Sequence, residues 1–136
     1  MRRRIIRFAP PLLLMALIFV FSAQPDLNSG LGNWDTVGRK LLHMIEYGLL
    51  WFLWWRAFGS GRAGLAAAIT LLYAASDEYH QSFVDGRHGT PVDVAIDAAG
   101  VALAMLFVAW RARRPGTPAA RRPRTGGPPP AEARRP

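Results

Sequence analysis

The stretch Ala63–Gln81, AGLAAAITLLYAASDEYHQ, runs apolar for most of its length and ends in a cluster of polar and ionisable side chains. As a helix its nineteen residues would rise about 28 Å, close to the roughly 30 Å of a bilayer's hydrocarbon core. Three further apolar blocks flank it, at about residues 5–22, 41–58 and 91–110. Gly59–Arg62 and Ser82–Thr90 join the last three blocks, and connections that short make neighbouring helices antiparallel. Ala23–Lys40 is polar and rich in turn signals, and is expected to be a loop. The sequence therefore predicts an all-α membrane protein, an antiparallel bundle of four transmembrane helices.

Composition agrees. Half the residues are apolar, yet the net charge is +8, and the two properties are segregated along the chain. That pattern suits a bilayer as solvent. The absence of cysteine excludes a disulfide framework and thiolate metal sites. Residues 111–136 hold eight arginines and seven prolines with almost no apolar side chains. Such a segment buries no core and is expected to be a disordered, basic tail. It reads as a solvated topogenic segment, with binding to anionic headgroups as the sharper alternative.

The first block follows a basic head, so a cleaved signal peptide competes with a retained helix. Phe21 stands two residues before Ala23, where a cleavage site wants a small side chain, and the retained helix is preferred. Four alternating crossings leave both termini on one side, with Arg2, Arg3, Arg4, Arg7, Arg56, Arg62 and the eight tail arginines. Arg39, Lys40 and Arg87 fall on the other, so the positive-inside rule puts both termini in the cytoplasm of a multi-pass cell-membrane protein. Asp26, Asp35, Asp85 and His88 then lie outside.

Ionisable residues inside membrane helices cost about 2.5–3.5 kcal/mol each on insertion scales and mark function by default. Here they are His43 and Glu46, then Asp77, Glu78 and His80, then Asp93 and Asp97. Counted from the expected outer helix ends, Glu46, Glu78 and Asp97 lie about 6–9 Å deep, in one shallow outer layer. His43, Glu46 and Tyr47 share a helix face, as do Asp93 and Asp97, whose stripe continues through the small residues Gly100 and Ala104. A network that only holds the fold would use the same charges, with Arg39, Lys40 and Arg87 as neutralising partners. Trp51, Trp54, Trp55 and Trp110 read as interfacial anchors near the cytoplasmic side.

The run Ser76-Asp77-Glu78-Tyr79-His80-Gln81-Ser82-Phe83-Val84-Asp85-Gly86-Arg87, followed by Asp93, Asp97 and Gly100, resembles the VanZ-like family of small bacterial membrane proteins. Lys40–Tyr47 and Phe21–Pro25 are similar to two further segments of that family, and the resemblance covers about residues 5–110. Asp97 stands where many members carry Asn, and Asp85 where a proline is frequent. The resemblance implies an envelope protein linked, through the family's namesake, to low-level teicoplanin resistance. It does not imply a defined molecular activity.

Three activities are compatible with these residues. One is binding of an envelope lipid or glycopeptide at the outer leaflet. Arg87, Arg39 and Lys40 would meet phosphate, and Gln81, Ser76, Tyr47, Asp93 and Asp97 would line the site. The second is an intramembrane acid–base enzyme, with Glu78 or Glu46 as base and His43 or His80 as acid. Ser76 with Asp77 and His80 on one helix does not define a nucleophile triad. The third is a small ion- or proton-coupled transporter, disfavoured because four short helices enclose little volume. His43, Glu46, Glu78 and His80 offer metal-ligand chemistry, but His-x-x-Glu is common by chance, so no metal and no cofactor is assigned. The expected partners are the bilayer and an anionic lipid or cell-wall precursor, and no nucleic acid.

Overall fold

The computed structural model describes residues 6–24, 33–87 and 89–114. The expectations placed on Arg2, Arg3, Arg4, Asp26, His88, the loop centre 25–32 and the tail beyond Arg114 lie outside the described residues. Four helices, α1 (Ala9–Ser22), α2 (Asn33–Phe58), α3 (Ala63–Gln81) and α4 (Pro91–Arg113), make up the fold, with a 3₁₀ turn at Ser60–Arg62 and no strand among the described residues.

Their termini follow from the local sequence. Pro10 and Pro11 sit in the first turn of α1, where a missing N–H is harmless. Thr90 caps α4, its Oγ1 accepting from the Asp93 N–H at 3.3 Å, with Pro91 as the first helical residue. Two boundaries differ from expectation. Helix α1 begins at Ala9, with Ile6–Phe8 in a turn, so it is shorter than the 5–22 block. Helix α2 begins at Asn33, eight residues before the apolar block. Residues 33–40 are polar, but they contain no proline, and Asp35 in the first turn suits the positive end of the helix dipole. Polarity there marks a projecting helix rather than a loop.

Side-chain contacts give the helix directions. Phe8 packs on Trp54 and Phe58, Tyr73 OH donates to the Met15 carbonyl, and Ser22 meets Asp77. Thus α1 runs with α3 and against α2. Trp51 Nε1 donates to the Ala63 carbonyl while Tyr47 reaches Asp77, so α2 and α3 are antiparallel. Lys40 pairs with Asp93, and Gly48 meets Gly100, so α2 and α4 run the same way. The four helices alternate in direction. Arg7, Arg56, Arg62, Arg111, Arg113 and Arg114 gather at one end, and Arg39, Lys40 and Arg87 at the other.

The α2–α4 pairing is the most extensive. A methyl group on Gly48 would lie 2.9 Å from the Gly100 carbonyl oxygen, and one on Gly100 would lie 2.8 Å from Met44 Cα. Backbones approach this closely only because neither residue has a side chain.

The core is aromatic at the arginine-rich end and polar at the other. Trp51 and Trp54 are buried, at 1% and 8% exposed, which corrects their reading as interfacial anchors. Positions 51, 54 and 55 share one helix face, and that face turns inward onto α1 and α3. Trp110 remains half exposed, with Arg114 stacked 3.7 Å over its ring. Towards the other end Ser22, Asp77, Glu78, Gln81 and Asp97 are buried. The outer surface carries Leu13, Leu42, Ile45, Leu72, Leu103, Leu106 and Phe107 exposed. Apolar outside and charged inside is the inverse of a water-soluble bundle. By length and composition one helix, α4, is apolar enough to cross a membrane, and α1 is apolar but only fourteen residues long.

Candidate functional site

At the end away from the arginine cluster lies a cavity of about 380 Å³. The two projecting turns of α2 form one wall with Thr36, Arg39 and Lys40. The α3–α4 loop supplies Gly86, Arg87 and Thr90, and His43, Glu78, Gln81 and Asp97 form the floor. Without the early start of α2 this wall would not exist.

The loop is tightly wound. Val84 N–H donates to the Gln81 carbonyl and Arg87 N–H to the Val84 carbonyl, with Gly86 at φ 76°, a backbone conformation that favours glycine. The turn sends Arg87 back over the end of α3, where one Nη donates to Gln81 Oε1 at 3.2 Å. Arg87 Nε is buried and donates to no acceptor among the described residues. Burial, and then the positive charge of Arg39, push the Arg87 guanidinium below its usual value. Gly89 seats the loop from the other side. A Cβ there would collide with the Glu78 carbonyl and come within 3.2 Å of Glu78 Oε2.

Beneath the cavity Asp77 is a hub. Its Oδ2 accepts from Ser22 Oγ at 2.8 Å, Tyr47 OH at 3.0 Å and Gln81 Nε2 at 2.9 Å. Three helices converge on one carboxylate oxygen, and Gln81 relays that anchor to Arg87. At the rim Lys40 Nζ pairs with Asp93 Oδ1 at 2.8 Å, and Thr90 Oγ1 donates to Asp93 Oδ2 at 2.7 Å. On the floor His43 Nδ1 stands 3.4 Å from Asp97 Oδ1 and 3.6 Å from Glu78 Oε1. Among the described residues, these are the three His, Asp or Glu residues whose ligand atoms all fall within 4.8 Å of one another.

Most of the residues singled out from sequence therefore meet. His43, Glu78, Gln81, Arg87, Asp93, Asp97, Arg39 and Lys40 line the cavity, and Tyr47 braces its floor. Three do not line it. Ser76 is exposed and donates to the Tyr73 carbonyl of its own helix. His80 stacks on Phe19 of α1, ring centroids 4.7 Å apart. Glu46 is half-buried one turn below His43. The metal-ligand set offered by spacing, with Glu46 and His80, is thus replaced by one containing Asp97. The partner expected for Arg87, Glu78 or Asp93, is replaced by Gln81.

Sequence reasoning passed over Ser22 and Asp77 as site-builders, and Thr36, Gly86, Gly89 and Thr90 as loop and wall residues. A signal for Thr90 existed, since Thr-Pro before an apolar run is a helix start. Nothing local marks Gly89, whose role depends on the approach of Glu78.

The VanZ/LLP1 family model matches residues 7–112, which takes in all four helices and the cavity. No curated protein and no solved structure matches the chain.

Proposed function

The chain belongs to the VanZ/LLP1 family, and on that premise we propose that its cavity holds the anionic headgroup of an envelope lipid or cell-wall glycopeptide precursor at the outer face of the cell membrane. The apolar exterior around a polar interior supports four membrane crossings, as do the alternating helix directions. The arginines gathered at the opposite end support cytoplasmic termini.

The observation that carries the ligand class is the placement of Arg87. Its guanidinium sits half-buried beside the charge of Arg39, an arrangement that disfavours itself. An anion between the two would relieve it, and guanidinium groups match phosphate with paired, charge-assisted hydrogen bonds. Lys40 is steered by Asp93 and borders the same mouth. The cavity suits a headgroup, while an attached hydrocarbon chain would lie along the apolar helix faces. In cells, such binding would show as reduced susceptibility to teicoplanin-type glycopeptides.

A second reading, an acid–base enzyme on a lipid-linked substrate, draws on the contact of His43 with the buried Glu78. Incubating the purified protein with radiolabelled polyprenyl phosphate separates the two. Saturable binding without product supports the binding protein. Product formation that Glu78→Gln abolishes selects the enzyme. Neither binding nor turnover sinks both.

A further inference from the structure

The floor of the cavity combines three features that a headgroup pocket does not require. Two carboxylates, Glu78 and Asp97, face one imidazole, and they are 5% and 0% exposed. Both carboxylate oxygens of Asp97 are buried and accept no hydrogen bond among the described residues. The nearest cations are committed elsewhere, Lys40 to Asp93 and Arg87 to Gln81.

From this geometry we infer a divalent metal site at His43 Nδ1, Glu78 and Asp97, of a kind that zinc or a similar first-row ion would fill. Charge bookkeeping favours it. A fully protonated imidazole between two carboxylates still leaves one negative charge uncompensated in a buried place, and buried charge requires a partner. A divalent cation with a neutral imidazole balances both carboxylates. The distances agree as well. Metal–ligand bonds of about 2.0–2.2 Å at a tetrahedral angle place ligand atoms about 3.3–3.6 Å apart. The observed 3.4 and 3.6 Å from the imidazole nitrogen fall on that value. They are long for hydrogen bonds to a carboxylate, which run near 2.7–2.9 Å. Three helices supply one ligand each, α2, α3 and α4. The crossing of Gly48 and Gly100 sets the distance between two of them. With three protein ligands the ion keeps a position open towards the cavity, as in sites that engage an exchangeable ligand.

This inference is independent of the headgroup reading, because metal content is measured without any lipid. The test is titration of Zn²⁺ into the chelator-treated full chain, purified in detergent with a tag that contains no histidine. The expected result is one equivalent bound, lost in Asp97→Asn and in Glu78→Gln and kept in Asp85→Asn, whose side chain is on the exposed loop. X-ray absorption of the zinc-loaded wild type keeps the test decisive should either variant fail to fold. A shell of nitrogen and oxygen at about 2.0–2.1 Å containing a single imidazole is expected. No stoichiometric binding by the wild type, retention by both variants, or a shell with no imidazole or with two would overturn the site.

Discussion

Replacing Gly100 by alanine tests whether the close approach of α2 and α4 builds the site. The added methyl would sit 2.8 Å from Met44 Cα, whereas ordinary contact begins near 3.4 Å, so the helices must part or bend by about 0.6 Å. Overpacking of this kind costs about 1–3 kcal/mol. Alanine also gains about 1 kcal/mol of helix propensity over glycine, which masks part of the loss. Gly38→Ala supplies the reference, because a methyl there meets nothing within 4 Å and the residue is also helical in α2. The difference between the two variants should therefore isolate the clash, at about 1–3 kcal/mol. Unfolding by sodium dodecyl sulfate in mixed micelles reads that difference directly. Gly38→Ala should be neutral or stabilised and Gly100→Ala destabilised. If both shift equally, the helices are not held by backbone contact, and the spacing argued for His43 and Asp97 loses its cause.

Other outcomes follow from the same contacts. Asp77→Ala should destabilise by about 3 kcal/mol or more in the same titration, since three buried donors lose their acceptor at about 1–3 kcal/mol each, while Tyr47→Phe should cost only about 1 kcal/mol. A double-mutant cycle on Lys40 and Asp93 should give a coupling below about 1 kcal/mol, because the pair is at the exposed rim. The native chain has no cysteine, so single cysteines report topology cleanly. Ser82→Cys should label from outside intact cells, and Gly61→Cys only after permeabilisation. The opposite pattern would invert the orientation.

How much of this was readable in the sequence varied with the physics involved. Helix α3 was legible to the residue, because its apolar run ends sharply in charge and its flanks are short. The convergence of His43, Glu78 and Asp97 was foreshadowed by helical spacing and by short connections that bring ends together. The first two turns of α2 were not legible, since polarity and Gly38 resemble a loop when nothing shows that a helix projects. Trp51 and Trp54 were misread because one-sided aromatic clustering looks alike at an interface and in a core, and only packing against Phe8 and Ala63 decides. The Gln81–Arg87 bridge and the seat of Gly89 on Glu78 depend on a loop path that no local pattern encodes.

The central claim, that the cavity grips an anionic headgroup through Arg87, is tested most directly by lipid titration of the purified chain in nanodiscs. Polyprenyl phosphate should bind saturably and the uncharged prenol should not. Arg87→Gln should weaken binding by about 10- to 100-fold, the equivalent of one charge-assisted contact of about 1.5–3 kcal/mol. Equal binding of phosphate and prenol, or an affinity unchanged by Arg87→Gln, would contradict it.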